Sequence, residues 1–309
     1  MQDRLTPQNK KTLIIGTRGS KLALAQAHEV KTLLIKAHRH LNDENIEICV
    51  MSTRGDRVQD RNLSEIGGKG LFTEEIEEAL FKGDIDIAVH SLKDMPTTLV
   101  AGLELVCFLE REDVRDAFLS SKATTLLDLP QGAVLGTSSL RRQAQALSLR
   151  PDLKIINFRG NVQTRLQKLD DNVADATFLA MAGLNRLGIK DLRVNAVETD
   201  QILPAVAQGA ITIEIASDNK AMRTLLAPLN HLETELKVRA ERAMLKVLDG
   251  SCRTPIAGLA QIDGDILTLK GRVLDEDGSN DRSDQIQGPK NNPEAIGEKL
   301  GQLLKCASY

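Results

Sequence analysis

Between residue 12 and about residue 215, short apolar runs alternate with stretches whose apolar residues recur every three or four positions. TLIIGT predicts a strand and SKLALAQAHEVKTLLIKAH an amphipathic helix; IEICVMST predicts the next strand. FTEEIEEALFKG predicts a helix with Phe72, Ile76, Leu80 and Phe81 on its apolar side, stopped by Gly83, and IDIAVHS predicts a strand ended by Pro96. A second series follows: AVLGTSS (strand), LRRQAQALSLR (helix, stopped by Pro151), LKIINFRG (strand), NVQTRLQKLDD (helix) and DATFLAM (strand). Alternation of this kind predicts parallel sheets covered by helices. Two such series in tandem predict two similar α/β domains with a cleft between them, and the apolar segment ILPAVAQGAITIEIAS reads as a crossover returning to the first.

The pattern changes near residue 230. HLETELKVRAERAMLKVL predicts a long helix stopped by Gly250, IAGLAQI and ILTLKGRVL a hairpin turning at Asp263-Gly264, and AIGEKLGQLLKCA a closing helix. The span DEDGSNDRSDQIQGPKNNPE reads as polar loop. The predicted division is residues 1–109 with 210–228 as a discontinuous first α/β domain, 110–209 as a second, and 229–309 as a small α+β third.

Composition narrows the function classes. The 309-residue chain has a net charge of −3, so an anion site has to be a local cluster of Arg and Lys rather than a basic surface. Aromatic residues make up 2% with no Trp, which argues against nucleic-acid binding by base stacking. Cys49, Cys107, Cys252 and Cys306 show no metal-ligand spacing, so no metal is expected, nor is a disulfide framework. No segment has the apolar core of a signal peptide or the roughly 20 apolar residues of a membrane span. The expectation is a cytoplasmic protein with reduced thiols and no membrane or nucleic-acid partner.

One local pattern recurs: a strand ends, a polar turn follows, an arginine appears and a helix starts. It occurs with Arg18 and Ser20, with Ser139, Arg141 and Arg142, and with Arg159 and Arg165. An arginine in the first turn of a helix is disfavoured by the helix dipole by about 0.3–1 kcal/mol, so its recurrence points to an anion in front of each helix. The alternative is that each arginine caps a loop or pairs with a surface carboxylate. GGKGLF carries Lys69 in a glycine-rich turn without Walker spacing, readable as a basic lid or as a plain loop leading into a helix. Lys93 and Asp94 sit side by side just past a buried strand, either as a solvated pair or as a catalytic carboxylate with a cationic neighbour. Cys252, in LDGSCRTP, is either an inert structural cysteine, as cysteines usually are, or a reactive one, since the adjacent Arg253 favours thiolate; His90 and His231 read as structural.

Taken together, TRGSKLALAQ, GGKGLFTEEIE, DIAVHSLKDMPT, EREDVRDAF, GTSSLRRQAQ, RGNVQTRLQKL, LAMAGLNRLG, LPAVAQGAITIE and LDGSCRTPIAG resemble, in order, the motifs of the porphobilinogen deaminase (hydroxymethylbilane synthase) family. The resemblance implies two lobes like those of type II periplasmic binding proteins plus a third domain carrying the cysteine loop. It implies a transferase of porphyrin and haem biosynthesis, in which four porphobilinogen molecules are joined head to tail into 1-hydroxymethylbilane with release of four ammonia. It also implies a dipyrromethane cofactor held by a thioether to Cys252, with Lys93, Ser139, Arg141 and Arg142 on the cofactor carboxylates. Arg18, Ser20, Lys69, Arg159, Arg165 and Arg186 are implied for substrate or growing chain, and Asp94 as the catalytic acid. Arg186 rests on the resemblance alone. A monomer is implied, with its product handed to uroporphyrinogen-III synthase.

Two positions depart from the family pattern. Ser251 stands where Gly-Gly-Cys is commoner, and Ala207 where glycine is common, which implies a stiffer hinge. The rival to the enzyme is a two-lobed module that binds a carboxylate ligand without chemistry; only the enzyme needs Lys93, Asp94 and Cys252. A thiol acyltransferase using Cys252 lacks a visible base.

Overall fold

The computed structural model describes residues 12–53, 73–248 and 254–306. In chain order the strands and helices are β1 (Leu13–Arg18), α1 (Lys21–Ala37), β2 (Ile46–Met51), α2 (Glu74–Lys82), β3 (Ile87–Ser91), β4 (Leu103–Phe108), β5 (Asp116–Ser120), β6 (Val134–Gly136), α3 (Leu140–Leu149), β7 (Lys154–Ile156) and α4 (Val162–Asp170). They continue with β8 (Ala176–Ala180), α5 (Met181–Arg186), β9 (Val194–Val197), β10 (Ile211–Ala216), α6 (Lys220–Leu226), α7 (Leu232–Val247), β11 (Ile256–Asp263), β12 (Ile266–Val273), β13 (Arg282–Pro289) and α8 (Pro293–Cys306). The chain divides into two compact units, whose described residues are 12–53, 73–111 and 210–235 in one and 112–209, 236–248 and 254–306 in the other.

The first unit is built on a five-stranded sheet in the order β2-β1-β3-β10-β4. β1 runs parallel to β2 and β3, as the alternating pattern predicts. β10 returns from the distant crossover and lies antiparallel between β3 and β4, so the sheet is mixed rather than parallel. β3 (IAVHS) and β10 (ITIEIA) are buried on both faces, so the polar Thr212 and Glu214 of β10 are enclosed along with its isoleucines. Ala27, Val30 and Leu34 of α1 pack with Met222 and Leu226 of α6 on one face of the sheet. Ile76, Ala79 and Leu80 of α2 cover the other against Ile85 and Ala88. Phe81, placed on the apolar side by spacing, is 40% exposed. Gly83 ends α2 in the left-handed conformation (φ 74°) that glycine adopts without steric cost.

In the second unit the sheet order is β7-β6-β8-β5-β9, with β6 parallel to β7 and β8, and β5 antiparallel to both its neighbours. Phe118, Leu135, Ala146 and Phe178 fill one face, and Leu119, Leu169, Leu179 and Leu184 the other. The same unit holds an antiparallel sheet, β11-β12-β13. β11 and β12 form the expected hairpin through Gly264 and Asp265. The span read as polar loop is a correction: Arg282–Pro289 is strand β13, paired with β12 over its full length. Its side chains are mostly exposed and show no apolar alternation, so only main-chain pairing makes it a strand.

Gly297 and Gly301 of α8 lie one turn apart and let that helix approach α7 closely. A Cβ on Gly297 would sit 2.1 Å from the Ala240 carbonyl oxygen, and one on Gly301 2.7 Å from Val247 Cβ. Gly297→Ala is therefore expected to force the helices apart and cost about 1–3 kcal/mol, read as a lower midpoint in denaturant unfolding.

Candidate functional site

Parallel neighbours end on the same side of a sheet, where ligands bind in open α/β folds. In the first unit Arg18 is the last residue of β1, and Ser20 follows as the N-cap of α1, its Oγ accepting from the Ala23 N–H at 3.1 Å. The first turn of α1 carries no acidic residue. Beside it, β3 leads into a 3₁₀ turn, Leu92–Asp94. Leu92 is fully buried and its N–H donates to the Ala210 carbonyl at 3.0 Å; Met95, also buried, donates back to the Leu92 carbonyl at 3.1 Å. Anchored on both sides, the turn exposes Lys93 and Asp94 together, which an extended strand with alternating faces would not do. Gln26 of α1 and Ser91 exchange hydrogen bonds of 2.8 and 3.1 Å, tying the helix to the end of β3.

His90 is buried and pairs with Glu214 of β10 at 3.1 Å, a core contact consistent with its structural reading. His231 likewise serves the start of α7, its ring meeting Thr234 Oγ1 at 2.8 Å.

In the second unit Ser139, Arg141 and Arg142 follow β6, Arg159 and Arg165 follow β7, and Arg186 lies on α5 directly after β8. Because β6, β7 and β8 are parallel, these six residues leave the same end of one sheet. Arg165 Nε donates to the Gly160 carbonyl at 2.9 Å, folding back over the turn it follows, and Arg186 donates to the carbonyl of Gly209, 23 residues further along the chain, at 3.1 Å. Ser139 is the N-cap residue of α3 without a side-chain cap bond.

Arg141 and Arg142 are buried, and both bind Asp116, a fully buried carboxylate at the head of β5. Arg141 donates to Asp116 Oδ2 at 2.8 Å and to the Leu203 carbonyl at 2.8 Å; Arg142 donates to Oδ1 at 2.7 Å and to the Phe178 carbonyl at 2.9 Å. Gln208 Nε2 adds a bond to Oδ1 at 2.9 Å. Burial alone would raise the Asp116 pKa, but Arg141 and Arg142 outweigh it and hold the carboxyl well below the usual carboxylate range. Burial lowers the Arg141 pKa, with Asp116 opposing it. The Nε–H of each arginine is buried and has no acceptor. Two guanidinium groups facing one carboxylate leave a net charge of +1.

Ala207, next to Gln208, adopts a left-handed conformation (φ 61°) that costs a residue with a Cβ about 1–2 kcal/mol. Its N–H donates at 2.6 Å to Glu241 of α7, whose other oxygen accepts from Ala260 at 2.8 Å.

The structure thus places Arg18, Ser20, Lys93 and Asp94 at one sheet end, and Ser139, Arg141, Arg142, Arg159, Arg165 and Arg186 at another. Lys69 and Cys252 lie outside the described residues. Asp116 and Gln208 escaped sequence reasoning. The available signal was a lone carboxylate opening the short strand DAFLS, every residue of which is buried.

Two family models match the chain: porphobilinogen deaminase, dipyromethane cofactor binding domain, over residues 13–224, and porphobilinogen deaminase, C-terminal domain, over residues 235–305. The porphobilinogen deaminase of Paracoccus denitrificans is 56% identical over 299 residues, covering 97% of this chain and 95% of the relative. That of Nitrobacter hamburgensis is 51% identical over 291 residues, covering 94% and 92%. Among solved structures, the periplasmic aliphatic sulphonate binding protein SsuA from Escherichia coli aligns at a TM-score of 0.41 with 14% identity, over 76% of this chain and 70% of that one.

The Asp116 cluster carries a pH signature. A carboxyl whose folded pKa is depressed contributes stability above its unfolded pKa of about 3.9 and loses it as pH falls through the folded value. Unfolding midpoints measured across the acid range are expected to drop below about pH 4, with a shallower slope in Asp116→Asn.

Proposed function

Because the chain belongs to the porphobilinogen deaminase family, we propose how its own residues divide that family's reaction. The protein is a transferase of tetrapyrrole biosynthesis: it joins four porphobilinogen molecules head to tail into linear 1-hydroxymethylbilane and releases four ammonia. Its cofactor is dipyrromethane. When bound, this group supplies the free pyrrole α-carbon to which the first porphobilinogen is joined.

The residues present fit such a group. Its rings carry acetate and propionate, and the second unit offers an excess positive charge with two buried N–H donors lacking acceptors. In this reading Lys93, Ser139, Arg141 and Arg142 hold cofactor carboxylates and the Cys252 sulfur carries the cofactor by a thioether. Arg18, Ser20, Lys69, Arg159, Arg165 and Arg186 take the carboxylates of substrate and growing chain. The gathering of these arginines at the carboxyl ends of parallel strands is the observation that carries the assignment. A polyanionic chain handled by a net-acidic protein needs such local clusters.

Asp94 is assigned to the chemical step. As ammonia leaves the aminomethyl carbon with the C–N electron pair, positive charge spreads onto the pyrrole nitrogen. A carboxylate fixed by the buried Leu92 and Met95 stabilises that charge, and in its protonated form assists amine departure. The same reading divides the chain into three domains, 1–109 with 210–228, 110–209 and 229–309, supported by the three separate sheets. It takes the enzyme as a cytoplasmic monomer that passes its product to uroporphyrinogen-III synthase; among the described residues no helix is long and apolar enough to cross a membrane. A non-catalytic carboxylate-binding module is not favoured, given deaminase relatives of over 50% identity along nearly the whole chain.

Intact mass spectrometry of the purified protein is expected to show an adduct of dipyrromethane size that Cys252→Ala lacks; an active wild-type chain of unmodified mass would remove Cys252 from its role. Asp94→Asn is expected to keep the unfolding midpoint and lose porphobilinogen turnover by about 100-fold or more. Turnover within threefold of wild type would instead take Asp94 out of the chemistry.

A further inference from the structure

Among the described residues, the one fully buried carboxylate that contacts residues of the proposed site is Asp116, and the family reading gives it no role. Its surroundings are closed. Each guanidinium is held at two corners, one terminal nitrogen by Asp116 and the other by a main-chain carbonyl, Leu203 for Arg141 and Phe178 for Arg142. Leu203 is itself fixed by Gln145, whose Oε1 accepts from its N–H at 2.8 Å and whose Nε2 donates to its carbonyl at 3.0 Å. Gln208 bridges Asp116 Oδ1 and the Val114 carbonyl (2.9 and 2.8 Å), so the carboxylate cannot rotate without breaking three donors. What the protein leaves unmet is one positive charge and the Nε–H of each arginine. Buried donors without acceptors are rare in folded proteins because each costs a lost hydrogen bond.

We propose that Asp116 is a positioning residue: it locks Arg141 and Arg142 side by side, cancels one of their two charges, and so makes them a single site for one ligand carboxylate. This rests on the reading of the two arginines as carboxylate binders. Without Asp116 the same pair would carry a charge of +2 on mobile side chains, attracting anions more strongly and placing them less well. The expected signature is therefore a gain in anion binding together with a loss in turnover, which a purely structural ion pair would not produce.

The holoenzyme tests this with three readouts: the fraction of chains carrying the dipyrromethane-sized mass, turnover per loaded chain, and inhibition by inorganic phosphate. In Asp116→Asn, turnover per loaded chain is expected to fall about tenfold, the size of a displaced charge-assisted hydrogen bond, while phosphate inhibits at roughly tenfold lower concentration. Asp116→Asn with Arg142→Gln restores the net charge to +1; phosphate sensitivity should return to wild type while turnover stays low. Wild-type turnover and phosphate sensitivity in Asp116→Asn overturn the inference, as does a double variant that regains midpoint and turnover together. If Asp116→Asn fails to fold, Gln208→Ala carries the test, since it keeps every charge and removes one of the three donors that hold the carboxylate. Turnover per loaded chain should then fall at least threefold at an unchanged unfolding midpoint, and unchanged turnover refutes the role. If Arg141→Gln and Arg142→Gln each load and turn over as wild type, the reading of the arginines fails; if they lose loading while Asp116→Asn does not, only the role of Asp116 fails.

Discussion

Two guanidinium groups held out of water against one carboxylate impose the strictest demand in the molecule. Removing an ion from water costs several kcal/mol even after relaxation, so the Asp116, Arg141 and Arg142 cluster persists only if nearly every donor and acceptor is met. That demand reaches well beyond the three side chains. It requires the start of β5 to lie beside the end of β8, which the Asp116↔Ala180 register provides. It requires the segment from Leu203 to Gln208 to return past the same point, bringing one carbonyl and one amide to the cluster. It also recruits α7, because the backbone turn that aims Gln208 passes through Ala207, whose left-handed conformation is held by Glu241.

A glycine at position 207 would reach that conformation without strain, so the alanine makes the turn depend on Glu241. The carboxylate of Glu241 also accepts from Ala260 on β11, one strand beyond the segment that carries Cys252. One buried acid therefore joins the small antiparallel sheet to the turn before the crossover. A second tie between that sheet and the arginines runs through Arg272 of β12, which donates at 3.2 Å to the same Gln145 oxygen that accepts from Leu203. These hydrogen bonds tie β11 and β12 to the segments that hold Arg141 and Gln208 in place.

On the other unit the constraint is steric rather than electrostatic. Lys93 and Asp94 are adjacent, and both are exposed only because the chain leaves β3 in a 3₁₀ turn pinned by Leu92 and Met95. An extended continuation would have turned one of the two toward the core. The opposite charges then meet water from one short, anchored segment.

The alternation of apolar runs and amphipathic helices was sufficient for the α/β class, because burial on two sheet faces dictates those periods. The recurrence of arginine after strands pointed to anion sites, since the helix dipole otherwise disfavours it. The ordered motifs carried the family. Sheet direction was a different matter. β10 lies antiparallel within a sheet that local pattern reads as parallel, because pairing partners far apart in the chain are chosen by the crossover path. β13 was invisible, since an edge strand with polar side chains is held by main-chain bonds that leave no side-chain signal. Asp116 could be seen only as an isolated acid at the head of a short strand; that it faces two arginines 25 and 26 residues away is a property of the folded register. Residue type and spacing thus determined which elements form and which charges are available, while long-range pairing decided which of those charges meet.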